Sequence, residues 1–232
     1  MKPFRAFLSV FIVVFALAAP AAAGNLTGKV MFTGVKPQPN KIDIDEDPEC
    51  AALHKTPVYD QSEIVNRNRT LANVFVYVKS GLEGKKFAPP NTPVTIDQRG
   101  CWFIPRVLGI QVGQMLRVTN SDPVTHNIHP RPHENREWNH SQSPGAPPIE
   151  RKFTIPEIMV RVKCNIHGWM HAWIGVVDNP YFAVTGSDGT FDLKDLPPGK
   201  YTIAAWQEVL GSQEQTVTVP AKGASSIAFT YK

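Results

Sequence analysis

Cys164-Asn165-Ile166-His167-Gly168-Trp169-Met170 stands between two runs that read as strands, residues 153–163 (FTIPEIMVRVK) and 172–178 (AWIGVVD). A thiol, an imidazole and a thioether fall at i, i+3 and i+6. An extended strand would send these side chains apart, because successive residues face opposite ways. A loop that turns back on itself can aim all three at one point. The segment is therefore read as a strand–loop–strand unit.

Working outward, the neighbouring chain keeps the same character. Residues 92–98 (TPVTIDQ), 107–112 (VLGIQV), 114–120 (QMLRVTN) and 124–129 (VTHNIH) are short and rich in β-formers, with Gly113 as a turn between the second and third. Residues 130–150 hold five prolines and little apolar periodicity, and are expected to form a long loop. Upstream, residues 25–35, 41–47 and 72–81 read as strands, and the polar, Pro-rich stretch 85–93 reads as a module boundary. The tail adds about five short strands between residues 181 and 231, with Asp188-Gly189 as a hairpin signal. No segment has helical periodicity. Proline is 21 of 232 residues, a density that helix interiors do not tolerate. The expected class is all-β.

Residues 1–23 are set apart. Lys2 and Arg5 precede an apolar run from Phe7 to Ala18, and Ala21-Ala22-Ala23 closes it. That is the layout of a cleaved signal peptide, too short to span a bilayer comfortably. It implies a periplasmic or secreted chain of 209 of the 232 residues. No later stretch is long and apolar enough for a membrane span, and no basic block or stripe points to nucleic acid.

Three cysteines, Cys50, Cys101 and Cys164, enter an oxidising compartment, so two should pair. Cys164 lies among residues that suit a thiolate, which leaves Cys50 and Cys101 as the expected disulfide. The alternative is a bridge using Cys164, with an idle spare thiol. Thiolate, imidazole and thioether together suit copper; two histidines, one cysteine and a weak axial methionine form the blue-copper set. The second histidine must come from elsewhere, and His126 in Asp122-Pro123-Val124-Thr125-His126-Asn127 is the best candidate.

Here a resemblance is plain. The block looks like a cupredoxin over about residues 93–179, and C-x-x-H-x-x-M is similar to the amicyanin branch. Trp102-Phe103-Ile104-Pro105, Val112-Gly113 and Asn120-Ser121-Asp122 before His126-Asn127 match the family's approach to its first histidine. The resemblance implies a cupredoxin Greek-key β-sandwich or barrel. It implies His126, Cys164 and His167 as equatorial ligands of one type 1 copper ion, with Met170 axial. It gives Asn127 the task of tying the two ligand loops together, and it implies an exposed edge on His167. Trp169 and Ile166 would form an apolar docking patch around that edge. His171, next to Met170, competes as an axial ligand, and His129, His133 and His140 raise the question of a second metal site.

The tail, through Asp188-Gly189-Thr190-Phe191 and Leu196-Pro197-Pro198-Gly199-Lys200-Tyr201, resembles a carboxypeptidase regulatory-like module, a small prealbumin-like β-sandwich without catalysis. Its missing opening strand is sought in Leu26-Thr27-Gly28-Lys29-Val30. The expected division is signal peptide 1–23, N-terminal β segment 24–92, cupredoxin domain 93–179 and C-terminal module 180–232, with 25–81 and 181–232 as one discontinuous sandwich. The expected function is single-electron transport between redox proteins, without catalysis. The alternatives are a copper carrier that hands the ion on, and a β-sandwich interaction protein. A Cys–His hydrolase lacks the helix that often activates its thiolate, and structural zinc does not use methionine.

Overall fold

A computed structural model describes residues 24–221 and 223–232; the expected signal peptide, 1–23, lies outside them. The strands in chain order are β1 (Gly24–Phe32), β2 (Phe75–Ser80), β3 (Val94–Gln98), β4 (Phe103–Ile104), β5 (Val107–Gln111), β6 (Met115–Asn120), β7 (His126–Arg131) and β8 (His140–Gln142). They continue as β9 (Ile149–Lys152), β10 (Glu157–Lys163), β11 (His171–Val177), β12 (Phe182–Val184), β13 (Thr190–Leu196), β14 (Gly199–Gln207), β15 (Gly211–Val219) and β16 (Ala224–Tyr231). One short helix, α1 (Pro48–Ala52), follows a 3₁₀ turn at Ile44–Glu46. The expected all-β class is what the structure has.

Four sheets form two facing pairs. In the first pair, β5-β11-β10-β7-β8 packs on β4-β3-β6-β9. Ile96, Leu116 and Val118 from one sheet meet Ile110, Ile128, Val162 and Ile174 from the other, all fully buried. Alternation along each strand puts one face inside, which is how a period of two becomes a two-layer core. In the second pair, β13-β1-β16 packs on β12-β2-β14-β15. β1 runs antiparallel to β13 and parallel to β16, so its burial alternates cleanly along nine residues. Leu26, Val30, Val76, Ile203 and Phe229 fill that core.

The two pairs meet over a seat made by two glycines. Gly109 on β5 and Gly175 on β11 lie opposite each other in parallel register. A Cβ on Gly109 would stand 2.3 Å from the Phe182 ring, and one on Gly175 would stand 2.5 Å from Phe75. Only bare backbone lets those rings come this close to the sheet. Trp173 and Trp206 meet beside them at 5.0 Å. Next to this aromatic contact, the Arg106 guanidinium bonds Glu208 at 3.0 and 2.7 Å, joining β14's end to the loop before β5.

Three expectations are corrected. Residues 41–47 do not form a strand beyond a single bridge from Lys41 to Tyr59. Their alternation of polar and apolar residues ends in Asp47-Pro48, where the Asp47 side chain accepts from Glu49 N at 2.9 Å and Cys50 N at 3.0 Å and starts α1. Residues 130–150 are not wholly loop: β8 pairs with β7 and β9 with β6. Buried Gln142 holds β8 down, its amide donating to Val118 O and Pro147 O while its oxygen accepts from Gln98. Asp188-Gly189 does turn the chain, with Gly189 at φ +69°, but not into a hairpin. β12 goes to β2 and β13 to β1, so the turn crosses between facing sheets.

The remaining loop between β7 and β8 is anchored by one carboxylate. Glu157 accepts from the backbone N–H groups of His133, Glu134 and Asn135 and from the Asn135 side chain. Burial alone would raise its pKa; these four donors outweigh it and lower it. A carboxylate with a lowered folded pKa contributes stability above its unfolded pKa, and that contribution fades as pH falls through the folded value. Glu157→Gln is therefore expected to lose about 1–3 kcal/mol at neutral pH. In denaturant titrations its deficit against the parent chain should close on acidification; a deficit independent of pH would contradict this role.

Candidate metal centre

Two strand ends and one loop meet at the end of the first sandwich. β7 begins at His126, and the loop from Cys164 to Met170 joins β10 to β11. That loop is closed by its own backbone: Cys164 N donates to Met170 O at 3.0 Å, and Met170 N to His167 O at 3.0 Å. The turn-back expected from the i, i+3, i+6 spacing is thus present. Met170 is fully buried in the same core cluster as Cys164.

The donor atoms converge. His126 Nδ1 lies 3.0 Å from His167 Nδ1, and Cys164 Sγ lies 3.7 Å from His167 Nδ1. All three residues are buried, with ligand atoms within 4.8 Å of one another. The Cys164 sulfur accepts backbone N–H groups from Asn127 and Ile166 at 3.4 Å and His167 at 3.5 Å. Burial pushes this thiol up. The His126 side chain and those three donors outweigh it and bring its pKa down to about 7. Burial likewise opposes protonation of His126, but Asp122 and Cys164 overcome it and raise that pKa to about 9.

Each histidine is oriented from behind by a carboxylate. His126 Nε2 donates to Asp122 Oδ2 at 2.8 Å, and His167 Nε2 donates to Asp47 Oδ2 at 3.0 Å. Asp122 is itself held by Gly100 N and Cys101 N at 2.6 and 2.8 Å. With both Nε2 atoms donating, the two Nδ1 atoms face each other across 3.0 Å, bridged by a proton on His126 in the metal-free chain and free to accept a metal ion in its place. Two facing acceptors at that distance need a cation between them, a proton or a metal ion. The mutual separations of the three donor atoms, all within 4.8 Å, are compatible with one shared ion at ordinary ligand lengths, about 2.0–2.1 Å for nitrogen and about 2.3 Å for sulfur. The residues present fit a soft, imidazole-binding metal such as copper.

Asn127 stands where the tie between loops was expected. Its Oδ1 accepts Asn165 N at 3.1 Å, and its own backbone N–H reaches the Cys164 sulfur. Its side-chain amide also bonds Asn139. The Cys50–Cys101 disulfide is present, and Cys164 is free and buried.

Other expectations change. His167 is 1% exposed, so its edge is not the open face that the resemblance implied. The segment around α1 covers it, with Asp47 on the imidazole and Cys50 bonded to Cys101. Trp169 is half-buried rather than part of an open patch: its Nε1 donates to Cys101 O at 3.2 Å, and its ring lies 5.3 Å from that of His167. Ile166 alone of the expected patch is exposed. His171 turns away from the centre. Its Nδ1 donates to Trp169 O at 3.0 Å, and its Nε2 faces Arg106 and Glu208.

His129, His133 and His140 do not assemble. His129 bonds Glu137 at 2.6 Å and Asn165 at 3.2 Å, and His140 faces Arg151. Among the described residues, the other groupings of candidate ligand atoms are Asp47, Cys50, His167 and Cys101, Asp122, His126. Each uses a sulfur already spent in the disulfide.

Sequence reasoning missed the carboxylates. The four-residue step from Asp122 to His126 is a signal for the first. The second is reachable only through the disulfide, which brings Asp47-Pro48-Glu49-Cys50 to the loop before β4.

No protein-family model and no curated protein matches the chain. Solved structures similar to part of this chain include a copper-containing nitrite reductase, a purple cupredoxin and amicyanins. A copper-containing nitrite reductase from Thermus scotoductus SA-01 is 24% identical over 41% of this chain, at a TM-score of 0.35. This chain spans only 24% of that reductase. A purple cupredoxin from Nitrosopumilus maritimus is 21% identical, covering 36% of this chain and 98% of its own, with a TM-score of 0.31. Amicyanin from Paracoccus versutus is 16% identical, covering 44% and 96%, with a TM-score of 0.33. The reading of the site rests on its own geometry. Among the described residues no helix is long and apolar enough to cross a membrane.

Proposed function

We propose that this chain is an exported type 1 copper protein that carries single electrons between redox proteins, with His126, Cys164 and His167 as equatorial ligands and Met170 as the weak axial one. The observation that carries the reading is the pair of Nδ1 atoms 3.0 Å apart beside a depressed-pKa thiol, each imidazole held from behind by a carboxylate. Copper in such a set cycles between Cu(I) and Cu(II). The chain's own residues do the rest. Asp47 and Asp122 fix the tautomers and the ring angles, so the donors need little rearrangement. The Asn127, Ile166 and His167 amides stabilise the thiolate, and the core around Met170 keeps water out. No substrate-bond chemistry is assigned to the site. The domain reading is a metal module, 93–179, set into a discontinuous sandwich drawn from 25–81 and 181–232, with residues 42–58 reaching across to the metal end. The pairing of β1 with β13 and β16 supports it.

Buried ligands tied by carboxylates favour cycling in place over handing the ion to a partner. Voltammetry of the copper-loaded chain separates the two. A reversible one-electron wave without loss of copper over repeated cycles is expected. Met170→Leu should keep copper and raise the potential, since removing a weak donor disfavours Cu(II). Release of copper on each reduction would favour the carrier, and loss of all metal in Met170→Leu would contradict an axial tuning role.

A further inference from the structure

We propose that Asp47 is a positioning residue that pins the His167 ring, and that residues 42–58 form a cap that closes the imidazole edge to solvent and partners. The inference deepens the copper reading, and its main test is independent of metal.

Three connections converge on the cap. Asp47 Oδ2 accepts the His167 Nε2 proton at 3.0 Å, while Oδ1 accepts from Glu49 N and Cys50 N. One carboxylate thus starts α1 and orients a ligand 120 residues away. Cys50 is bonded to Cys101, whose backbone N–H donates to Asp122, the residue that orients His126. Each half of the disulfide is therefore one hydrogen bond from the carboxylate behind one histidine. Beneath the cap, Ile44, Cys50 and Val58 pack on Cys101, Trp102 and Val124, with Trp169 against them. The result is a His167 that is 1% exposed on a loop whose Ile166 is 52% exposed. The cap, not the depth of the loop, hides the imidazole. A partner docking at this end meets α1 and Ile166, and reaches the ring only when the Asp47 contact opens.

Diethyl pyrocarbonate labelling of the metal-free full chain, read residue by residue by mass spectrometry, tests this with exposed His133 and His140 as internal references. Asp47→Ser and Asp47→Asn make the comparison. Both side chains cap a helix well. Asparagine caps α1 through its Oδ1 and still reaches Nε2 with its Nδ2–H, which closes the contact through the other imidazole tautomer in the metal-free chain; serine is too short to reach it. Labelling of His167 should rise about tenfold or more in Asp47→Ser, the size expected when a hydrogen bond to a charged group is lost. In Asp47→Asn it should stay within about twofold of the parent, as a neutral hydrogen bond from the amide to Nε2 still occupies the ring edge. Equal labelling in the serine and parent chains would overturn the proposal, as would serine and asparagine behaving alike. A copper reading that failed would leave this labelling pattern in place.

Discussion

Cys164→Ser should abolish the intense thiolate-to-copper colour of the loaded chain and leave both sandwiches folded. The charge-transfer band needs a sulfur ligand, and this chain has one free cysteine. Its thiolate is stabilised by three backbone N–H groups, so the cost of deprotonation that copper must overcome is already small at neutral pH. A serine hydroxyl in the same place has no accessible anion and a harder oxygen, which suits copper poorly. The remaining histidines should hold Cu(II) weakly and palely. The fold should tolerate the change, since the hydroxyl inherits the same three donors; a loss of about 1–3 kcal/mol is the usual range for a buried substitution. Absorbance and EPR of the loaded variant check the first point, and circular dichroism checks the second. A retained blue or green band would refute the thiolate assignment.

Removing the disulfide should have the largest effect on stability. Cys50 and Cys101 are 51 residues apart, and both are fully buried. Closing a loop of that length lowers the entropy of the unfolded chain by an amount worth about 4 kcal/mol in the chain-entropy model. The region it holds, from Ile44 to Val58, has one short helix and few strand bonds of its own, so little else replaces the tether. Chemical denaturation of Cys50→Ser/Cys101→Ser against the oxidised parent should show a loss in that range. A loss below about 1 kcal/mol would mean that the cap is held by its packing alone.

The site was legible where its chemistry is local. Cys164, His167 and Met170 announce themselves by spacing within seven residues, and a thiolate's neighbours left Cys50 and Cys101 to pair. His126 was found because its surroundings carry a recognisable phrase. The cap was not legible, for two reasons. Lys41 to Asp47 alternates as a strand does, yet Asp47-Pro48 starts a helix whose side-chain bonds win over weak β preference. Its contact with His167 spans 120 residues, and no local pattern encodes that. β8 and β9 were hidden in a polar, Pro-rich stretch because their pairing is fixed by Gln142 and by register with β7 and β6 rather than by apolar alternation. Asp188-Gly189 showed a turn but not which sheets it joins, since β1 supplies the partner from the far end of the chain. His171 beside Met170 looked like a ligand, and only Arg106 and Glu208, both distant in sequence, draw it away.

The most direct test is a titration of the purified, disulfide-bonded chain with Cu(II), followed by absorbance and EPR together. An intense blue or green band that saturates at one copper per chain, with a narrow copper hyperfine splitting, is the predicted result. A pale complex with ordinary tetragonal copper, or no binding at all, would contradict it.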